Sequence, residues 1–319
     1  MQTRTKVILG ASAAVGVHLL RNHQLRRPQA AVNHEDFPGV IYEVGAAYVA
    51  HRPARGPAQL TVVAIAGFLE DFRYFTELYT DLALELILIN NSGYHCPDQR
   101  QTPCRPTWAE PITEEVGSIE YDARVLNLAL HHLAKGQQLR VHGHSRGGAV
   151  VLEAARQAPA AFKTAEVILE APVLPGAAAY PLLELAFNPV GLYLLPFNFA
   201  LLKRSNPELF AKWMYPPLNP RKLELIKGLY FNPRSYEVIL KNVHSMRRWI
   251  TQTDSSIYAY VRQGMILIPE HDTVLDRTSM LASAQQAARR LQVVETYGTS
   301  HFVSLDQPQV VPRLLRQAS

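Results

Sequence analysis

One serine lies between two glycines in the segment Gly143-His144-Ser145-Arg146-Gly147. This spacing fits the pattern Gly-x-Ser-x-Gly, in which the serine lies on a sharp turn between a strand and a helix and needs small neighbours. The strand-like run Leu-Arg-Val precedes the pattern, and the helix-like run Ala-Val-Val-Leu-Glu-Ala-Ala follows it. We therefore predict that Ser145 is a nucleophile and that Gly143 and Gly147 leave room for the turn. The competing interpretation is a strand-to-helix turn without chemistry.

A serine hydroxyl is a weak nucleophile at neutral pH, so it needs a general base, and the base needs an acid that fixes its tautomer. The chain order serine, acid, histidine favours His301, which follows the apolar run Gln-Val-Val-Glu-Thr-Tyr-Gly. Asp272 ends the run Met-Ile-Leu-Ile-Pro-Glu-His-Asp, 29 residues before His301, which leaves room for a crossover helix and a strand. Glu170 and Asp276 are weaker candidates for the acid. A surface-loop position is the alternative for His301, and a helix-capping role is the alternative for Asp272.

Attack on a carbonyl also requires hydrogen-bond donors that meet the negative charge developing on the substrate oxygen. We expect the backbone N–H of Arg146 to be one donor, because it directly follows the candidate nucleophile. The second donor should come from the loop after the strand-like run 60–67, where the N–H of Phe68 is favoured and that of Leu69 is the alternative. We expect the Arg146 side chain to form a structural ion pair.

The overall composition is that of an ordinary globular protein. The chain has 319 residues, of which 48% are hydrophobic and 18% charged, and its formal net charge is +5. Because the lysines and arginines are scattered, we predict no nucleic-acid partner. We also predict no cofactor and no metal, and the oligomeric state stays open. Association with an anionic membrane surface stays open as well.

The two cysteines, Cys96 and Cys104, lie in one loop-like stretch. Two cysteines are too few for a disulfide framework. Free thiols, a single local disulfide and a metal site are the three alternatives, and the metal site is the least favoured.

The N-terminal segment 1–35 combines an apolar run with basic residues. The run from Val7 to Leu20 is short for a membrane span, which needs about 20 apolar residues. A helix that lies on the protein or on a membrane surface is the first interpretation, and a membrane anchor or uncleaved signal is the second. The expected location is therefore either cytoplasmic or membrane-associated.

Short β-rich runs alternate with helical patterns along most of the chain. This alternation predicts an α/β fold with a mainly parallel, eight-stranded sheet and helices on both faces. An antiparallel hairpin is predicted over 39–53 around Gly45, and helices are predicted over 71–85 and 112–136. Ligands of such sheets bind at the carboxyl ends of the strands, which is where the candidate residues occur.

Residues 174–262 break this alternation and are rich in proline and aromatic residues. We predict that they form a helical cap inserted into a core made of residues 36–173 and 263–319. Simple packing of the cap on the core explains aromatic residues in this segment, and an apolar acyl pocket is the functional alternative.

The candidate residues and their surroundings resemble the α/β-hydrolase superfamily. The segments that carry the resemblance are IAGF (65–68), NNSGY (90–94), GHSRGG (143–148), EHDTVLD (270–276) and GTSHF (298–302). The resemblance implies attack by Ser145, proton transfer by His301, orientation by Asp272 and an acyl-enzyme that water hydrolyses. Two features depart from the usual pattern: Ala66-Gly67 replaces a common His-Gly pair, and Asn90-Asn91 stands where an acid is usual.

The resemblance implies a serine hydrolase, similar to esterases and lipases, that acts on a small-molecule or lipid-like ester with an apolar acyl or alcohol group. Amidase, thioesterase and C–C hydrolase activities use the same three residue types and stay open. A non-catalytic binding protein of the same fold is less favoured, because its usual mark is a missing triad residue and none is missing here.

Overall fold

A computed structural model describes residues 2–26, 35–98, 100–204, 206–228 and 236–312. Eight strands form one sheet. They are β1 (Val40–Val44), β2 (Ala47–Arg52), β3 (Leu60–Ile65), β4 (Glu85–Ile89), β5 (Gln138–His144), β6 (Glu166–Glu170), β7 (Gln263–Ile268) and β8 (Gln292–Glu295). Their order in the sheet is β1-β2-β4-β3-β5-β6-β7-β8.

The predicted α/β fold is confirmed by this topology. Strands β4, β3, β5, β6, β7 and β8 run parallel, while β1 and β2 pair with each other and with β4 in the antiparallel sense. The predicted hairpin turns at Gly45, whose φ of 60° is readily adopted by glycine. The carboxyl ends of β3, β5 and β7 therefore meet at one edge of the sheet.

Most of the α-helices connect parallel strands, while the first helix precedes the sheet and the last helix follows it. The helices are α1 (Gln2–Arg26), α2 (Ile119–Leu133), α3 (Arg146–Gln157), α4 (Pro181–Ala186), α5 (Pro189–Arg204), α6 (Pro207–Met214), α7 (Pro220–Gly228), α8 (Tyr236–Gln252), α9 (Arg277–Ala287) and α10 (Val303–Asp306). The helix predicted over 112–136 is the shorter α2, because the Ser118 hydroxyl accepts a hydrogen bond from the Tyr121 N–H and caps the helix there.

Hydrophobic cores lie on both faces of the sheet. In β3, Val63 and Ile65 face a core that includes residues of α2, α3 and α9, while Val62 and Ala64 face a second core. All residues of β3 are buried, as expected for a central parallel strand covered on both sides. The sheet is therefore a rigid support for the loops at its carboxyl edge.

The helix predicted over 71–85 is wrong. The chain forms a short 3₁₀ helix over Phe72–Phe75, followed by turns until β4 begins. The guanidinium group of Arg52 donates hydrogen bonds of 2.9 Å to the Tyr79 carbonyl and 2.8 Å to the Asp81 carbonyl. These carbonyls are thus satisfied by a side chain from β2, which stabilises turns in place of the helix that the apolar spacing favours.

The segment between β6 and β7 contains helices α4 to α8. Not all of it lies apart from the core, because Trp249, Ile257 and Tyr258 are buried in the same apolar cluster as α2 and α3. We call residues 174–262 the cap segment, or the cap, as a name only; its status as a separate domain and the domain boundaries given above stay predictions.

Helix α1 packs against α5. The His18 ring and the Tyr193 hydroxyl are 2.8 Å apart, and Arg21 donates a 2.9 Å hydrogen bond to the Tyr193 carbonyl. The Arg21 guanidinium also lies 4.7 Å from the centre of the Tyr193 ring. Among the residues that the structure describes, no helix combines the length and the apolar character needed to cross a membrane.

Both cysteines are free thiols in the structure. The thiol of Cys96 donates to the Asp98 carbonyl at 3.2 Å, and burial raises its pKa to about 11. Of the three alternatives for Cys96 and Cys104, the structure thus agrees with free thiols.

Candidate active site

Ser145 occupies a sharp turn between β5 and α3. Its φ of 53° and ψ of −120° lie outside the regions that residues with a Cβ normally adopt. The turn is held by its own backbone: the Ser145 N–H donates to the Glu170 carbonyl at 2.8 Å, and its carbonyl accepts from the N–H groups of Gly148 and Val173, both at 2.9 Å. The predicted strand–turn–helix context of Ser145 is therefore present.

The two glycines that flank Ser145 are needed for close packing of the turn. A Cβ on Gly143 would overlap the Gly147 carbonyl, and a Cβ on Gly147 would overlap the Ile65 carbonyl at the end of β3. Both positions thus require glycine for steric reasons. The turn is pressed directly against the loop that follows β3.

Asp272 and His301 meet at the same edge of the sheet. Nδ1 of His301 lies 2.7 Å from Oδ2 of Asp272, and both side chains are buried. Because a carboxylate only accepts, His301 donates from Nδ1, and this tautomer leaves the lone pair on Nε2 to take a proton. The structure describes no hydrogen bond between the Ser145 hydroxyl and the His301 ring, so that contact belongs to the proposal below.

The rival acids have other partners. Glu170 accepts hydrogen bonds from the Tyr74 hydroxyl at 2.6 Å and the Ser304 N–H at 2.6 Å, and its other oxygen lies 3.0 Å from His142. Burial alone would raise the pKa of Glu170, but the hydrogen bond with His142 lowers it to about 2. Glu170 is thus fully engaged beneath the site, away from the His301 ring.

Helix capping accounts for Asp276, whereas Asp272 caps no helix and instead accepts hydrogen bonds from the turn that follows it. Asp276 caps α9 by accepting from the Ser279 N–H at 2.8 Å. Asp272 also accepts from the N–H groups of Val274 and Leu275, at 2.7 and 2.9 Å, through Oδ1. These bonds fix the carboxylate so that its second oxygen faces His301.

A buried pair that the sequence did not indicate lies next to these residues. Oε2 of Glu70 is 2.7 Å from Nδ1 of His144 and also accepts from the Gly67 N–H at 2.9 Å. Nε2 of His144 lies 3.0 Å from the backbone carbonyl oxygen of His301. Glu70 and His144 therefore join three segments. They are the loop after β3, the turn at Ser145, which we call the nucleophile turn, and residues 296–302, which we call the histidine loop.

Both ring nitrogens of His144 face groups that only accept hydrogen bonds, so the ring carries two protons and a positive charge. Burial alone would lower the pKa of His144, but the Glu70 carboxylate raises it to about 9. The ring stacks on Tyr74, with 4.2 Å between centroids, and its centroid lies 4.9 Å from that of His301. A side chain that is positively charged at neutral pH thus lies one residue before Ser145.

The loop after β3, residues 66–71, contains the candidate oxyanion donors, and we call it the oxyanion loop. The N–H of Gly67 is bonded to Glu70, and the N–H of Leu69 is bonded to the Tyr94 hydroxyl at 3.0 Å. The N–H of Phe68 lies between these two engaged groups. This arrangement favours Phe68 over Leu69 as the donor to a substrate oxygen.

Arg146 contributes to the candidate site through its backbone N–H and through its guanidinium group. It is the first residue of α3, so its N–H is among those that lack an acceptor within the helix. Its guanidinium, as expected, forms a buried ion pair with Asp122 at 2.7 Å, and it also donates to Asn91 at 2.7 Å. Asn91 in turn donates to the Gly67 carbonyl at 2.7 Å, so this residue ties the nucleophile turn to the oxyanion loop.

The histidine loop is tied to the cap by a buried lysine. Nζ of Lys222, on α7, donates hydrogen bonds of 2.6 Å to both the Ser300 hydroxyl and the Asp306 carboxylate. Asp306 also accepts from the Ser300 N–H at 2.8 Å. The position of the loop that carries His301 therefore depends on a helix of the cap.

An apolar cluster lies against the oxyanion loop. The Phe68 ring packs edge-on against Phe187, with 5.7 Å between centroids. Both belong to a cluster built on three buried cap residues, Leu195, Tyr236 and Ile239. The approach to the site from the cap side is therefore apolar.

Glu70, His144 and His301 are also the one group among the described residues with ligand atoms spaced for a metal ion, all within 4.8 Å. The Glu70 and His144 atoms are already hydrogen-bonded to each other, and Nδ1 of His301 is hydrogen-bonded to Asp272. A bound cation would have to replace these bonds and would meet a ring that is itself positively charged, so the group does not fit a metal site.

A mainly parallel sheet with a serine on a strained turn between a strand and a helix defines the class of α/β-hydrolase folds. The model of the Alpha/beta hydrolase family matches residues 62–313 of this chain. The chain therefore belongs to that family, as the resemblance in the sequence predicted, and family membership supports a hydrolase. Among curated proteins, none matches the sequence.

Solved structures share the fold at low sequence identity. A candidate lipase from Acinetobacter baumannii superposes with a TM-score of 0.59 at 16% identity, over 85% of this chain and 86% of that one. E-2-(acetamidomethylene)succinate hydrolase has a TM-score of 0.56 at 16% identity, over 86% of this chain and 96% of that one. A thermophilic esterase from Thermogutta terrifontis has a TM-score of 0.54 at 17% identity, over 89% of this chain and 95% of that one. These likenesses show the fold alone.

Proposed function

We propose that the protein is a serine hydrolase that cleaves carboxylic esters with an apolar acyl or alcohol group. The observation that carries the proposal is the 2.7 Å contact between Asp272 and His301, at the sheet edge where Ser145 occupies its strained turn. The contact supplies a base in the required tautomer at the same edge of the sheet as Ser145.

In the proposed reaction, Nε2 of His301 takes the proton of Ser145 while Oγ bonds to the substrate carbonyl carbon. The carbonyl oxygen becomes an oxyanion, which the N–H groups of Phe68 and Arg146 stabilise. The intermediate collapses, the bond to the alcohol oxygen breaks, and His301 returns the proton to the leaving alcohol. Water then attacks the acyl-enzyme by the same sequence and releases the acid.

The surroundings of the site support an apolar ester. The half-buried Phe68 and Phe187 place aromatic surface at the oxyanion loop, supported from below by the buried Leu195 and Ile239. An apolar surface of this kind binds acyl chains or apolar alcohols by the hydrophobic effect. The positive charge of His144 is neutralised by Glu70, so it offers no free cation to an anionic substrate.

The test is turnover of nitrophenyl esters of increasing acyl length, together with labelling by a fluorophosphonate probe. The expected result is hydrolysis that Ser145→Ala lowers on the order of 10⁶-fold in kcat, with the label on Ser145. Ser256→Ala, which changes an exposed serine, is the matched control. Absence of turnover, or a label on another serine, contradicts the proposed nucleophile. Faster turnover of matched thioesters or amides contradicts the ester assignment and leaves the triad in place.

A further inference from the structure

Helix α1 turns two polar residues towards the protein and exposes large aliphatic residues. Its polar residues His18 and Arg21 face α5 and are hydrogen-bonded there. Leu19 and Leu20, which leave the helix in different directions from these two, are 62% and 58% exposed. A surface helix ordinarily turns its apolar residues towards the protein and its polar residues outwards. The outer side of α1 therefore exposes two leucines close to the basic residue Arg26.

Helix α5 extends this apolar surface. Val190 and Leu201 on α5 are 66% and 68% exposed, and Tyr193 of the same helix joins it to α1. Isolated exposed apolar residues are common, but two adjacent helices that both present large aliphatic side chains form a surface that needs a partner. We refer to the exposed side of these two helices as the α1–α5 surface.

The charges of the two helices favour an anionic partner. Both helices carry lysine and arginine residues, and neither contains an aspartate or a glutamate. Lys6 and Arg26, near the two ends of α1, are exposed. Exposed apolar side chains combined with basic residues, and with no acidic residue, favour contact with an anionic lipid surface.

The α1–α5 surface is connected to the candidate active site. Leu25, in the last turn of α1, packs against the apolar cluster that includes Phe68 and Phe187. Leu195, from α5, is one of the buried residues of that cluster. The two helices thus lie next to the oxyanion loop, on the side from which an apolar substrate would enter.

We propose that the protein lies on anionic phospholipid bilayers through the α1–α5 surface, with Leu19, Leu20 and Leu201 inserted among the lipids. The helices would lie parallel to the membrane plane, and a lipid-like ester could reach Ser145 through the apolar cluster without crossing water. Only this delivery of substrate rests on the proposed function. Binding to the bilayer is a separate property of the surface and is tested separately.

The test is co-sedimentation of the full chain with vesicles of phosphatidylglycerol and phosphatidylcholine. All proteins carry Ser145→Ala, so that binding is measured without hydrolysis and does not depend on the proposed chemistry. We expect the protein to pellet with the vesicles, and we expect the double variant Leu19→Glu/Leu20→Glu to bind about tenfold or more weakly. Raising the salt concentration should also weaken binding, because it screens the basic residues.

A matched control replaces an exposed leucine elsewhere. Leu82, in the turn before β4 at the opposite edge of the sheet, is 36% exposed, and Leu82→Glu should bind like the parent. Leu201→Glu tests the α5 side independently, and thermal unfolding midpoints show whether each variant is folded. The proposal is overturned if the parent stays in the supernatant or if the double variant and Leu201→Glu both bind like Leu82→Glu. It is also overturned if the parent self-associates without lipid and the double variant does not, because a second copy of the chain then covers the surface.

Discussion

Glu70 and His144 form a buried ion pair directly beside the candidate nucleophile, with 2.7 Å between the carboxylate oxygen and the ring nitrogen. The pair does not face the substrate position itself. It connects the Gly67 N–H to the backbone carbonyl of His301, through the residue that precedes Ser145. The oxyanion loop, the turn at Ser145 and the loop that carries His301 are therefore linked through one charged contact.

Replacing Glu70 by glutamine should separate the effect of the negative charge of Glu70 from the effect of its side-chain shape. Glutamine keeps a hydrogen-bond acceptor near His144 but removes the negative charge that raises the pKa of the ring to about 9. At pH 8 we expect a mostly neutral ring, loss of one of its two donated hydrogen bonds, and kcat/KM about 10- to 100-fold lower, because the catalytic groups are less well aligned. Ester turnover at several pH values provides the measurement.

The pH profile distinguishes this positioning role from a general loss of folding. The wild-type protein should lose activity as the pH rises through about 9, where His144 loses its proton. In Glu70→Gln the same loss should occur at lower pH. If the activity of the two proteins fell over the same range of high pH, this result would contradict a role for the charge of His144. Glu224→Gln, which changes a more exposed cap carboxylate, is the control.

The same pair should make stability depend on pH. The pKa of His144 in the folded protein lies above its ordinary value of 6.5. The folded protein therefore binds the second ring proton of His144 more tightly than the unfolded chain does. The stabilisation is fully present below pH 6.5 and is lost as the pH rises through about 9. We expect the difference in free energy of unfolding between wild type and Glu70→Gln to be largest near pH 6 and to shrink towards pH 10. Urea unfolding at intervals of pH measures it, and a constant difference would contradict the assignment.

The features that sequence alone could predict are those with a local signature. Gly143, Ser145 and Gly147 lie within five residues, so their spacing directly reflects the backbone of one turn. Asp272 and His301 follow apolar runs that form β7 and β8, and the chain order limits the candidates. The rule that strand ends of a parallel sheet meet at one edge then places them together.

The features that sequence missed depend on contacts between distant segments. Glu70 has no distinguishing neighbours in the chain, and its role becomes visible only when β3 and β5 pair and bring it to His144. The prediction of a helix over 71–85 was wrong for the same reason. The side chain that stabilises the turns there belongs to Arg52, which lies in β2. Periodicity reports which residues are apolar, but it does not report which carbonyls a distant side chain will satisfy.

Asn91 provides a test of the oxyanion loop. Its side chain accepts from Arg146 and donates to the Gly67 carbonyl, each at 2.7 Å. Asn91→Asp introduces the acid that is usual in this part of the family pattern, but it replaces the donor to Gly67 with an acceptor and repels that carbonyl. We expect the loop to shift and kcat to fall about tenfold or more, with a smaller change in KM, because oxyanion contacts strengthen in the transition state. Steady-state kinetics on one ester measures both constants, and an unchanged kcat contradicts the coupling.

The last prediction concerns Lys222, which links the cap to the histidine loop. Lys222→Met keeps the length of the side chain but leaves the buried Asp306 carboxylate without its cation. Removing one partner of a buried ion pair costs about 3–5 kcal/mol, because the remaining charge is uncompensated. The free energy of unfolding should fall by an amount of this order, and kcat should fall as well, because Ser300 loses the hydrogen bond that fixes the loop before His301.

The matched control for Lys222 is Lys212, which pairs with Glu208 on the exposed surface of the same cap. Lys212→Met should change stability by no more than about 1 kcal/mol, because water screens the pair. Adding Asp306→Asn to Lys222→Met removes the uncompensated charge and should restore part of the lost stability. If it restores stability without restoring kcat, then the lysine itself positions the histidine loop. If Lys222→Met and Lys212→Met have the same small effect, the cap does not hold the loop that carries His301.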